Sequence, residues 1–127
     1  MQELNIKCYA HLGDAVYEVF IREKIVFLSS KLSTMHKLNT SFVCASFQCE
    51  LLDVLDVYLT DREKDLVRRG KNIPSNSRKQ NQSLHRVSTG FEVLIGYLHL
   101  HEKKRLLEIF KLISDYIDID SKDNVLK

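Results

Sequence analysis

LNIKCYAHLGDAVYEVFIREKIVFL, from Leu4 to Leu28, decides the fold class. Leu12, Ala15, Val16, Val19 and Phe20, and later Val26 and Phe27, recur at steps of three and four residues, the period of one helical face. At 1.5 Å per residue, about 25 residues predict a helix of about 37 Å, long enough to cross a small domain. A chain built on such a helix needs others to cover its apolar face.

The rest of the chain supplies them. Ser29 and Ser30 loosen the first helix, and Ser33 can cap a short helix through Leu38. Thr40 or Ser41 opens a helix to about Leu59, with Phe42, Val43, Ala45, Phe47, Leu51, Leu52 and Leu55 on its buried side. Thr60-Asp61-Arg62-Glu63 spells a capping box, in which hydroxyl and carboxylate each take a backbone amide of the other residue. The helix it starts is expected to end near Arg69, with Gly70 in the left-handed closing conformation. Lys71 to Ser83 is polar, holds the sole proline, Pro74, and reads as a loop. Ser88 or Thr89 restarts a helix through His99, and a last one runs from about Lys103 to Ile117. The expectation is one all-α domain over residues 1–127, of five to seven helices, with 118–127 as a frayed tail.

Composition narrows the class. The 127 residues are 44% hydrophobic and 28% charged, enough apolar material for a core. One proline and four glycines are too few turn residues for an all-β fold. No basic stretch followed by an apolar one marks a signal peptide, and no window nears the ~18 apolar residues of a membrane helix. Cys8, Cys44 and Cys49 are an odd number without paired spacing, which favours a reducing cytoplasm and cysteines acting as small buried hydrophobes. His11, His36, His85, His99 and His101 show no zinc spacing, and no nucleophile elbow or glycine-rich phosphate loop is present.

The net charge of +2 conceals an uneven distribution. No acid lies between Asp65 and Glu92, while Arg68, Arg69, Lys71, Arg78, Lys79 and Arg86 give that window +6. The remaining 13 basic residues face 17 acidic ones, so the rest of the chain carries −4. Asn72, Asn76, Gln80, Asn81 and Gln82 add neutral hydrogen-bonding groups, and His85 lies beside Arg86. This mixture suits phosphate and sugar contacts; a solvated loop kept soluble by charge explains it equally well.

Two carboxylates stand in apolar company. Asp14 has Ala10, Tyr17 and Ile21 on its side of the helix, follows Gly13, and has Glu18 one turn on. Glu92 sits between Phe91 and Val93, with Gly90 and Gly96 on either side. Helices that cross at these glycines would bring the two acids face to face, a hard-oxygen donor pair suited to Mg²⁺. Pairing with Arg or Lys, or simple exposure, is the competing explanation.

At this point the residues resemble a known family. LGDAVYE (Leu12–Glu18) resembles the signature helix of the ribonuclease III family. MHKLNTSFVCASFQ (Met35–Gln48), LTDREKDLVRRGKN (Leu59–Asn72) and RVSTGFEVLIGYLHL (Arg86–Leu100) are similar, in order, to segments of its Mini-ribonuclease III branch. The resemblance implies a homodimeric, Mg²⁺-dependent endoribonuclease without a separate double-stranded-RNA-binding domain. Its substrate would be double-stranded RNA, notably the stem of precursor 23S ribosomal RNA, cut to leave 5′-phosphates. It implies Asp14 and Glu92 as catalytic metal ligands. Glu18, one turn from Asp14, and Thr89, three residues before Glu92, are candidate outer-shell groups; a surface salt bridge explains Glu18 equally well. RNA would be gripped by Arg68, Arg69, Lys71, Asn72, Arg78, Lys79, His85 and Arg86. The chain departs from full-length ribonuclease III at Ala10 and Thr89, where that enzyme has acids, and from the Mini branch at His11 and Ser46. The missing acids motivate an alternative: a non-catalytic helical RNA-binding dimer on a degenerate nuclease domain. A third reading is an interaction module with no RNA role.

Overall fold

The structure, a computed structural model, describes residues 2–74 and 82–125, with side chains as far as residue 118. The described residues form six α-helices: α1 (Ile6–Ile25), α2 (Leu32–Val43), α3 (Ala45–Leu55), α4 (Asp61–Lys71), α5 (Gln82–His101) and α6 (Lys103–Val125). A 3-10 turn, Asp56–Tyr58, follows α3. No strand occurs among the described residues. None of their helices is long and apolar enough to cross a membrane.

The α5 helix is the axis of the molecule. Phe91, Val93, Leu94, Ile95, Tyr97 and Leu98 are all buried. A helix apolar on every side belongs inside others, and α1, α3, α4 and α6 all pack on this one. The α1 helix contributes Tyr9, Tyr17, Ile21 and Ile25; α6 contributes Leu106, Ile109, Ile113 and Ile117.

Local chemistry explains the helix starts. The Asn5 side chain accepts from the Lys7 amide to cap α1. Before α4, the Thr60 hydroxyl accepts from the Glu63 amide at 3.1 Å, and Glu63 takes the Thr60 amide at 2.9 Å. The expected capping box is present.

Several expectations give way. The segment from Leu32 to Leu55 divides at Cys44, whose backbone is extended, rather than near Leu38. The cause is tertiary. The last carbonyls of a helix lack partners within it. Here Tyr17 donates its hydroxyl to the Phe42 carbonyl at 2.6 Å, and the Gln48 amide donates to that of Val43 at 3.1 Å. Gly70 does not close a helix: among the described residues no glycine has a positive φ, and α4 runs on to Lys71. Gly70 instead permits contact, since a Cβ there would lie 2.6 Å from the Gly90 Cα on α5. The α5 helix starts at Gln82, within the stretch expected as loop, and α6 continues past Ile117 to Val125. The cysteines are free, but Cys8 is exposed and Cys44 and Cys49 are only half-buried.

Candidate active site

Asp14 and Glu92 meet where α1 crosses α5. A Cβ on Gly13 would lie 1.8 Å from the Glu92 carbonyl oxygen, and one on Gly96 would lie 2.0 Å from that of Tyr9. Only hydrogen fits at either position, so the two backbones touch and the neighbouring carboxylates are drawn together. Tyr17 packs edge-on against Phe91 one turn away, with ring centroids 5.0 Å apart, and steadies the crossing.

The two acids sit in different surroundings. Asp14 is exposed, contrary to the apolar setting read from its neighbours, because Tyr17 and Ile21 turn into the core beneath it. Glu92 is half-buried. Burial, then the hydrogen bond with Asp14 and its negative charge, push the Glu92 carboxyl up to about 8. Two carboxylates that crowd each other in this way form a site that gains from a cation. No third His, Cys, Asp or Glu joins them into a three-residue ligand cluster among the described residues. A two-carboxylate set of hard oxygens fits Mg²⁺, which keeps several waters and completes its shell with substrate phosphate oxygens.

The flanking residues are engaged elsewhere. Glu18 accepts from Arg22 at 2.9 Å and from the Asn39 amide at 3.3 Å. These bonds, Arg22 foremost, hold its carboxyl below the usual range. Thr89 lies one turn before Glu92 and donates its hydroxyl to the His85 carbonyl at 2.9 Å.

The basic segment is less purely positive in space than in sequence. Arg68 pairs with Asp65 at 2.6 Å, and Arg69 with Glu3 at 3.1 Å. Lys71 lines a cleft of about 440 Å³ between α3, α4 and α5, together with Arg68 and Lys64 opposite Asp53 and Asp56. Asn72 caps α4, and His85 and Arg86 are exposed on the first turns of α5. Arg78 and Lys79 lie outside the described residues.

One supporting pair escaped the sequence reading. Ser88, one turn before Glu92, is buried and donates to the buried Gln48 at 2.5 Å. Gln48 also donates to the end of α2, so this amide ties three helices together beneath the glutamate. The available signal was a glutamine among Phe47, Leu51 and Leu52 on an apolar face.

A second surface feature lies on the far side of α1. Ala15, Val16, Val19 and Phe20 line an apolar groove of about 520 Å³ with Leu106, Leu107 and Phe110 of α6. Val19 is 54% exposed and Leu107 68%.

Comparison with known proteins gives a consistent picture. Residues 8–103 match the family described as Ribonuclease III domain. A Mini-ribonuclease 3 of Clostridium tetani is 36% identical over 128 aligned positions, covering 97% of this chain and 85% of that protein. One from Synechocystis is 39% identical, covering 89% of this chain and 80% of that protein. The crystal structure of protein FN1578 from Fusobacterium nucleatum superposes with a TM-score of 0.76 at 28% identity, covering 88% of this chain and 90% of that one.

Proposed function

Because the chain belongs to the ribonuclease III family, with Mini-ribonuclease 3 relatives over most of its length, we propose that Asp14 and Glu92 hold Mg²⁺ and carry its catalysis. The protein is an endoribonuclease acting on double-stranded RNA. The finer substrate in this reading is the stem of precursor 23S ribosomal RNA, cut to leave 5′-phosphates.

The observation that carries the reading is the meeting of Asp14 and Glu92 at a glycine-lined crossing. When bound, a divalent cation there supplies Lewis-acid stabilisation of the phosphate and lowers the pKa of water beside it. The chain's own part is to fix two oxygen donors, one exposed and one half-buried, at the surface where a duplex can reach them. Glu18, oriented by Arg22 and Asn39, and Thr89 flank the pair as outer groups. Lys71, Asn72, His85 and Arg86 offer donors for backbone contacts, and Arg68 and Arg69 can exchange their carboxylate partners for phosphates. Double-stranded RNA is recognised mainly by shape, phosphates and 2′-hydroxyls, which such a surface matches.

The working unit in this reading is a homodimer. The α1–α6 groove, with Val19 and Leu107 standing out of it, is an apolar face of the kind that a second copy covers. The meeting of the two carboxylates supports the catalytic reading over the non-catalytic alternative. Digestion of a 23S precursor stem with and without Mg²⁺ tests the proposal, with Asp14→Asn and Glu92→Gln as controls. Metal-dependent cutting by the wild type alone is expected; equal cutting by either variant would sink the assignment.

A further inference from the structure

The exposed face of α1 carries cations that neither the carboxylate pair nor the 68–86 segment accounts for. With 3.6 residues per turn, Lys7, His11, Asp14, Glu18 and Arg22 fall within one arc of about 80° around the helix. Lys7, His11 and Asp14 are all exposed. The two ends of this stripe differ. Arg22 is committed to Glu18 through its Nε and a terminal nitrogen, at 3.2 and 2.9 Å. The side chains of Lys7 and His11 enter none of the ion pairs or hydrogen bonds among the described residues.

The axial spacing gives these two residues a role. His11 stands about 4.5 Å before Asp14 along α1, and Lys7 about 10.5 Å before it. Successive phosphates of a duplex strand lie only a few ångström apart along its axis. A strand that brings one phosphate to Asp14 therefore sets its neighbours within reach of His11 and of the long Lys7 side chain. The need is electrostatic as well, because the exposed Asp14 carboxylate repels an approaching phosphate backbone.

We propose that Lys7 and His11 form a phosphate-contacting stripe on α1, which holds the RNA strand on the N-terminal side of the cut and is separate from the 68–86 segment. Its ligand is the sugar–phosphate backbone of duplex RNA, without base preference. The proposal rests on the double-stranded-RNA reading above.

The test is equilibrium binding of a short RNA duplex in EDTA, so that no strand is cut, between about 50 and 200 mM salt. Lys7→Gln is expected to lower the slope of log affinity against log salt by about 1. Over that fourfold salt range the variant then loses about fourfold less affinity than the wild type. His11→Ala is expected to weaken binding alike for duplexes of different sequence. Lys111→Gln, on the exposed face of α6, is the control and leaves the slope unchanged. Both residues are exposed, so unaltered melting temperatures confirm that the variants are folded. A steep wild-type slope that persists unchanged in Lys7→Gln, with wild-type affinity in His11→Ala, overturns the proposal and leaves the duplex-RNA reading standing. A wild type that does not bind duplex RNA overturns both.

Discussion

The carbonyl oxygen of Glu92 occupies the place where a Cβ on Gly13 would stand, 1.8 Å away. One candidate ligand thus depends on the residue before the other. Alanine at Gly13 would meet backbone, which cannot swing aside as a side chain can. Helix propensity favours Ala over Gly by about 1 kcal/mol, but overpacking against fixed atoms costs about 1–3 kcal/mol or more and decides the sign. Gly13→Ala is expected to lower the melting temperature and to reduce cleavage at least about tenfold at temperatures where the variant is folded, because a misplacement of about 1 Å is enough for such a loss. Thermal denaturation and single-turnover cleavage check both parts. Wild-type rates in the folded variant would mean that the close crossing is not needed for the chemistry.

Asp14→Asn separates chemistry from folding. Asp14 is exposed and, among the described residues, enters no hydrogen bond with the backbone, so its replacement removes the proposed ligand and little packing. Cleavage of duplex RNA should vanish, with the melting temperature within about 2 °C of the wild type and duplex binding retained. A gel-shift beside a cleavage assay reads both. Loss of binding together with cleavage would give Asp14 a different role.

Glu92 predicts a pH dependence. Its carboxyl is raised from the ordinary 4.5 to about 8 by burial and by Asp14. In the metal-free protein its contribution to stability is therefore full below about 4.5 and falls as pH rises through about 8. A divalent cation needs both carboxylates ionised, so metal affinity should rise across the same window, with a proton released on binding. Calorimetry in buffers of different ionisation enthalpy should find close to one proton released at about pH 6.5 and almost none above about pH 9. Proton release that does not vary with pH would place the metal elsewhere.

How much of this was legible in the sequence follows from where the causes lie. The helical class, the long first helix and the Thr60–Glu63 box rest on local periodicity and capping, and the structure has all three. Asp14 and Glu92 stood out because each has glycines nearby in an apolar stretch; Gly13 and Gly96 do mark the crossing of α1 and α5, whereas Gly90 lies against α4. The break at Cys44 was not legible, because the groups that satisfy the ends of α2 come from Tyr17, 25 residues away, and from Gln48 across the break. Gly70 misled for a related reason. A glycine near a helix end reads as a terminator, whereas its use here is contact with Gly90, which no local pattern reveals. The charge of Arg69 was overestimated because its partner, Glu3, is 66 residues distant.

The apolar groove between α1 and α6 predicts a change of assembly. Leu107→Lys places a charge on the most exposed apolar residue of that face without touching the core, since Leu106 and Ile109 carry the inward packing. The variant should be monomeric in sedimentation where the wild type is dimeric, and its melting temperature should no longer depend on protein concentration. The carboxylate pair belongs to one chain, so metal binding should survive while duplex cleavage falls. A wild type that sediments as a monomer would remove the dimer from the reading.

The ion pair between Glu63 and Arg105 makes the sharpest prediction about stability. Glu63 is 4% exposed, and one of its oxygens takes both the Thr60 amide and Arg105 at 2.9 Å. Its other oxygen takes the Arg105 Nε at 2.8 Å, and the same guanidinium donates to the Tyr58 carbonyl at 2.7 Å and to Glu108 at 2.8 Å. One cluster therefore caps α4, holds the turn after α3 and anchors α6. Burial alone would push the Glu63 carboxyl up, but Arg105 and the Thr60 amide hold it below its ordinary value. Its contribution is thus present above the ordinary carboxylate range and is lost in acid, as pH falls through the lowered value. Glu63→Ala strands a partly buried guanidinium and an uncapped amide, for an expected loss of about 3 kcal/mol. Glu63→Gln keeps an oxygen for the amide and should lose less, in the order wild type, Gln, Ala. Urea denaturation at pH 7 measures the order, and repetition near pH 3 should shrink the gap between wild type and Gln as the carboxylate takes up its proton. Equal stability of all three at pH 7 would show that α6 is held by its apolar face alone.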